Sequence, residues 1–312
     1  MNPAFSVIFL TTLIGAGQGL FLALFGTEAA VTLRFVTEPD ATYFIGGSAI
    51  ACTLLVAGLG ASFLHLGHPE RAWRAARMWR TSWLSREVIV LPAFIAAVIA
   101  YGAAHALRLE GTLWIGAAGA VLCVVLFLCT AMIYACLRFL QEWHSALTFA
   151  NFLLLGTASG SMLCALWAVY AAPPLALSLS ACAALVTIAG LGVRVAMLAR
   201  NARIRARSTV QSALGVKHPR IVQKAQGAMG GSFNTREFFH GRSAPALRAV
   251  KWTFLLAGFA VPVGLAFLGI ATASAGTLAV AVPVQFAGLV AERWYFFAQA
   301  RHPQNLYYQF IS

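Results

Sequence analysis

Residues 143–193 read WHSALTFANFLLLGTASGSMLCALWAVYAAPPLALSLSACAALVTIAGLGV, without one Asp, Glu, Lys or Arg. A helix crossing the hydrocarbon core of a bilayer needs about 20 apolar residues, so this run is too long for one span and long enough for two. Ala171-Ala172-Pro173-Pro174 falls at its middle, and consecutive prolines end a helix because each lacks the N–H and clashes with the preceding turn. The run therefore predicts a pair of antiparallel spans with a tight turn between them. Working outward, residues 1–27, 41–69, 88–107 and 111–137 are also free of Asp, Glu, Lys and Arg, and each predicts one span. Residues 252–291 hold the small-residue turn Ala273-Ser274-Ala275-Gly276 and predict two more, with Lys251 and the Glu292/Arg293 pair as interfacial ends.

The expectation is an all-α polytopic membrane protein of eight transmembrane helices, forming one membrane domain over residues 1–312. Composition agrees: 60% of the 312 residues are hydrophobic and 10% charged, against about 25% charged in a soluble domain. That balance excludes an ordinary soluble enzyme. The first span has no positive residue ahead of it and no convincing small-residue cleavage site, so it reads as a retained helix and not a signal peptide. The six cysteines, at 52, 123, 129, 136, 164 and 182, lie inside apolar runs with no Cys-x-x-Cys pair, and read as small core residues.

An even number of spans puts both termini on one side, and Lys and Arg say which side that is. Twenty of the 22 fall toward the termini, and only Arg34 and Arg108 lie opposite, among Glu28, Glu38, Asp40 and Glu110. Both termini are thus expected in the cytoplasm, with the chain multi-pass in a bacterial inner membrane. The net charge of +13 belongs almost wholly to that face. Two readings of the basic loops compete. One is topology plus anionic lipid; the other is a docked partner, for which the basic loop 200–247 between helices six and seven is long enough. The candidate docking residues are Arg74, Arg77, Arg80, Arg200, Arg203, Arg205 and Arg207.

No phosphate loop, nucleophile elbow, metal-binding helix motif or fixed-period repeat is visible, so hard covalent chemistry on this chain alone is not expected. Gly15-x-x-x-Gly19 and Gly156-x-x-x-Gly160 are weak signals of close helix packing. Histidines carry more information. A transmembrane haem is held by histidines at matching depth on facing helices. His65 and His144 share a depth but sit at the interface, His105 lies at the far end of its span, and no histidine is central. No haem and no metal site are expected here.

Leu64-His65-Leu66-Gly67-His68-Pro69-Glu70-Arg71-Ala72 closes the second span, and Ser82-Trp83-Leu84-Ser85-Arg86-Glu87 opens the third. They bring imidazoles, carboxylates, arginines and tryptophan to one interfacial level, a mixture suited to a quinone ring. Its carbonyls need donors, its ring an apolar or aromatic wall, and its reduction two protons. His65 can donate and exchange a proton near neutral pH, and Glu87 can relay protons. His68, Arg71 and Trp83 complete the candidate site. The competing reading has His65 capping a helix and Glu87 paired with Arg86 or Arg71 at the surface, an arrangement both common and weak.

The pattern His65-Leu66-Gly67-x-Pro69-x-Arg71-Ala72 followed by Leu84-Ser85-x-Glu87 resembles the membrane-anchor subunits of the dimethyl sulfoxide reductase family. The eight-span plan is similar throughout, as is the opening Pro3-Ala4-Phe5-Ser6-Val7-Ile8-Phe9 with Gly15-x-Gly17-Gln18-Gly19. The resemblance implies an anchor without haem that exchanges electrons between membrane quinone, ubiquinone or menaquinone, and an iron–sulfur subunit, and that holds a molybdopterin catalytic subunit at the membrane. It assigns the quinone-site histidine to His65 and the acidic partner to Glu87, with Arg71 a weaker carry-over. Because the basic face points to the cytoplasm, the likeness within the family is to anchors of cytoplasm-facing sulfite dehydrogenases. Anchors of dimethyl sulfoxide, polysulfide, thiosulfate or tetrathionate enzymes stay open as alternatives. A transporter is the competing class, although Gln18, Gln285 and Asn151 near the midplane make no convincing ion relay.

Overall fold

The computed structural model describes residues 1–64, 66–225, 238–272 and 274–307. Among these, eight helices are long and apolar enough to cross a membrane: α1 (Phe5–Thr32), α2 (Ala41–Phe63), α3 (Trp83–Ala106), α4 (Thr112–Ala135), α5 (Ala146–Ala171), α6 (Pro173–Ala202), α7 (Ala244–Thr272) and α8 (Ala275–Ala298). The double proline does what its chemistry requires: Ala172 closes α5, and Pro173 and Pro174 open α6, where the missing N–H groups cost nothing. Asp40, Ser82, Ser145 and Ser243 begin α2, α3, α5 and α7, each accepting a backbone N–H of the first turn through its side chain. Such a cap is typically worth about 1 kcal/mol.

Helices α1 to α4 pack in sequence and close on themselves through α1 and α4, and α5 to α8 repeat that arrangement. The two groups join chiefly along α1 and α5. These are the central helices, each with 61% of its apolar window buried, where the other six have 28% to 44%. The seam explains the two glycine motifs. A Cβ on Gly19 would lie 2.1 Å from the carbonyl oxygen of Gly156, and one on Gly160 would lie 2.0 Å from the backbone nitrogen of Leu20. No side chain fits there, because the obstruction is backbone. Gly160→Leu is therefore expected to force α1 and α5 apart, at a cost above the ~1–3 kcal/mol of ordinary overpacking. A sharp drop in folded protein recovered from membranes checks this.

A second close approach lies between α7 and α8. Leu256–Ala260 forms a π-helical turn within α7, and Gly258 in that turn backs onto Gly288, where a Cβ would lie 2.1 Å from the Gly258 nitrogen. π-turns inside α-helices often mark functional regions. Gly288 precedes, by one turn of α8, the charged pair Glu292 and Arg293.

The charge-free runs predict that the sixth span stops before Arg194 and the eighth before Glu292. Instead α6 continues to Ala202 and α8 to Ala298, so that Arg194, Glu292 and Arg293 lie within their helices, all buried. Glu28, expected in a loop, likewise lies buried inside α1. Each of these buried charges has an ionisable neighbour in the fold: His105 beside Glu28, and Glu292 beside Arg194 and Arg293. Of the basic loop, Val210–Leu214 forms a short helix, and residues 226–237 fall outside the described part.

Candidate functional site

Ser82 caps α3 through the Ser85 N–H, which fixes the first turn and sets Glu87 one turn into the helix on its inward face. Glu87 is 9% exposed. The Thr130 hydroxyl on α4 donates to its Oε1 at 2.5 Å. Neither surface arginine is its partner. Arg86 donates to the carbonyls of Trp79 and Arg80 and lies 4.2 Å over the Trp83 ring, while Arg71 lies 3.5 Å from Glu70. Glu87 and Thr130 instead face a cavity of about 20 Å³, whose wall also includes Thr11, Gln18, Phe152 and Arg293. That volume holds about one water molecule. Gln18 is itself anchored, donating from Nε2 to the Cys123 carbonyl at 3.0 Å.

Behind the cavity lies a buried ion network. Glu292 Oε1 accepts a hydrogen bond from Asn151 Nδ2 at 3.3 Å and lies 2.8 Å from Arg194 Nε in an ion pair, and Oε2 lies 3.1 Å from Arg293 Nε. Both guanidiniums rest on aromatic faces: Arg194 is 5.2 Å from the Phe254 centroid and Arg293 is 3.9 Å from that of Phe152. Cation–π contacts strengthen when desolvated, to about 2 kcal/mol or more. Two cations still share one carboxylate, and Arg293 Nη1 and Arg194 Nη2 are buried with no hydrogen-bond partner among the described residues. In a membrane interior such groups are expensive and mark function by default.

At the other end of the bundle, Glu28 accepts hydrogen bonds from Tyr101 at 2.8 Å and from Thr112, with His105 Nε2 3.6 Å away. Phe21 stands edge-on to both Phe94 and Tyr101, filling the core between this cluster and the Glu87 cavity with aromatic rings. The two polar sites are separate.

The family model of the DMSO reductase anchor subunit (DmsC) matches residues 1–298. The chain belongs to that family. Over 325 aligned residues, covering 100% of both chains, it is also 54% identical to a subunit of the sulfite dehydrogenase of Allochromatium vinosum. It is thus a membrane anchor subunit, which removes the transporter reading.

Within this DMSO reductase family anchor the residues singled out from sequence separate into an inner and an outer set. Glu87 is inside. His68 and Arg71 sit on or beside the exposed 3₁₀ segment Pro69–Met78, and both engage Glu70, His68 through Nδ1 at 3.0 Å. Trp83 is half-buried at the start of α3 under Arg86. His65 lies outside the described residues. Arg74, Arg77 and Arg80 are exposed on or beside the 3₁₀ segment, and Arg203, Arg205 and Arg207 are exposed beyond α6. Arg200 differs from these: its guanidinium donates to the carbonyls of Gln141 and His144, both at 3.0 Å, tying α6 to the α4–α5 connection. Among the described residues no group of three or more His, Cys, Asp or Glu could hold a metal ion.

Sequence reasoning missed Thr130, Asn151, Arg194, Glu292 and Arg293 as members of one region. A signal existed for the charged three. Val193-Arg194-Val195 and Ala291-Glu292-Arg293-Trp294 are flanked by apolar or aromatic residues on both sides, the pattern of an ionisable group buried in helix packing.

Proposed function

We propose that this anchor passes electrons between an iron–sulfur subunit and membrane quinone, in a complex whose molybdopterin subunit oxidises sulfite to sulfate. The redox balance closes: sulfite oxidation with water releases two electrons and two protons, and reduction of a quinone to its quinol takes up two of each. The observation that carries the quinone assignment is Glu87, a buried carboxylate held by Thr130 at a cavity that Arg293 also lines. The chemistry of the lining suits a quinone: a hydroxyl, an amide and a guanidinium can donate, and Phe127 and Phe152 offer aromatic wall. The volume suits a carbonyl oxygen and not the ring, so binding requires the ring to stay at the mouth or the lining side chains to part. His65 donates to a carbonyl in this reading, and Glu87 exchanges protons with the reduced ring. In this reading His68, Arg71 and Trp83 form the outer set, exposed or half-buried ahead of and at the start of α3. Ubiquinone and menaquinone both satisfy these requirements. The sulfite assignment is supported by the likeness to the Allochromatium vinosum protein.

In the same reading the chain forms one membrane domain in the bacterial inner membrane, with both termini and the basic loop 200–247 in the cytoplasm. Arg194 and Arg293 are buried and drop out of the charge count, which still leaves 18 Lys and Arg on the termini side against two opposite. Reporter fusions after His302 and within 200–247 are expected to report cytoplasm, and a fusion near Pro39 the periplasm. Arg74, Arg77, Arg80, Arg203, Arg205 and Arg207 dock the iron–sulfur subunit through charges that steer association and weaken with salt; Arg200 supports that surface from beneath. The complex is expected to purify from membranes with an iron–sulfur and a molybdopterin subunit, and to reduce quinone when given sulfite. A chain isolated alone from its native membrane, or a complex indifferent to sulfite, would contradict the proposal.

A further inference from the structure

We infer that Arg293 is a quinone-binding residue, donating to the headgroup oxygen from the wall of the cavity it shares with Glu87. This rests on the quinone reading above and goes beyond it, because the charge pattern of the sequence marks this position only as the end of a span. Three observations converge. Arg293 lines the cavity, as do Glu87, Thr130 and Gln18, while Arg194 does not. Its Nη1 is buried without a hydrogen-bond partner among the described residues, so the guanidinium keeps donor capacity after its Nε has met Glu292 at 3.1 Å. Glu292 also serves Arg194 and Asn151, which leaves positive charge beyond what one carboxylate neutralises.

The stacking fixes where that charge sits. Arg293 lies on the ring of Phe152, which itself lines the cavity, so the planar guanidinium and one aromatic wall come as a unit. Arg194 also keeps an unpartnered Nη2, but it does not line the cavity: its Nη1 points to the Met197 sulfur at 3.4 Å and its plane lies over Phe254. What separates the two guanidiniums is position, since only that of Arg293 lines the cavity where a ligand could meet it. A headgroup oxygen that gains electron density on reduction is the ligand such a donor serves best, since a charge-assisted hydrogen bond is roughly twice as strong as a neutral one.

The test compares Arg293→Gln, Arg293→Lys and Arg194→Gln in the intact complex, with sulfite as donor and decylubiquinone as acceptor. Arg293→Gln and Arg194→Gln each leave one cation against one carboxylate, so the network tolerates them alike. Arg293→Gln is expected to raise the KM for decylubiquinone by about tenfold or more, and Arg194→Gln to leave it within about twofold of wild type. Arg293→Lys keeps the charge but loses the planar fork, and its KM is expected to fall between. A wild-type KM in Arg293→Gln overturns the inference while the quinone reading stands. If the Gln variant fails to assemble, Arg293→Lys decides, and a wild-type KM there overturns it equally. An equal rise in Arg194→Gln also overturns it, because the effect would then belong to packing. Failure of the wild-type complex to reduce decylubiquinone counts instead against the quinone reading itself.

Discussion

Glu292→Gln is expected to deplete the membrane of assembled anchor. The substitution preserves shape and removes the single carboxylate that faces both Arg194 and Arg293, leaving two guanidiniums buried at 0% and 4% exposure without their counter-charge. Breaking a buried ion pair by removing one partner costs about 3–5 kcal/mol, and total stability in a protein of ordinary size is only about 5–15 kcal/mol. Replacing Arg194 or Arg293 by Gln removes a cation instead and leaves a matched pair, so the expected order of damage is Glu292→Gln first and either arginine well behind. Immunodetection of the anchor in membranes, with thermal stability of the detergent-solubilised complex, reads that order. Equal stability of all three variants would mean that water or lipid headgroups reach the network.

How far this could be foreseen depends on what each residue type announces. The eight spans were legible because lipid makes hydrophobicity and length nearly sufficient, and the double proline at 173 and 174 divided the one ambiguous run. The glycine motifs were legible as contacts but not as partners: nothing in Gly15-x-x-x-Gly19 names Gly156 and Gly160. Of the residues proposed for the site, Glu87 was legible as a candidate through its place after Trp83 and the family likeness. Its depth was not, because a carboxylate four residues after a span's first residue reads equally well as a surface ion pair, and only the α3–α4 packing brings Thr130 to it. The ion network was hidden by the rule that found the spans. Counting charge-free runs makes every charge a boundary, and Arg194 and Glu292 are 98 residues apart in the chain, so their mutual neutralisation exists only in the folded bundle.

Glu87→Gln is expected to slow quinone turnover by about a hundredfold or more, the usual scale when a general acid or base is removed. Gln keeps the volume and can still hydrogen-bond Thr130, so the α3–α4 contact and the assembly survive. What is lost is the capacity to take up and release a proton beside the headgroup. Because binding contacts other than Glu87 remain, the loss belongs to kcat more than to KM. His65→Ala is expected to act the other way, weakening quinone binding by about tenfold as an acceptor is left without its donor.

The most direct measurement is the sulfite-dependent rate of the purified Glu87→Gln complex with decylubiquinone, set beside its rate with a soluble artificial electron mediator that takes electrons before they reach the membrane. The expected result is a quinone-linked rate down by about two orders of magnitude and a mediator-linked rate near that of the wild type. A Glu87→Gln complex that reduces decylubiquinone at the wild-type rate would contradict the role given to this carboxylate.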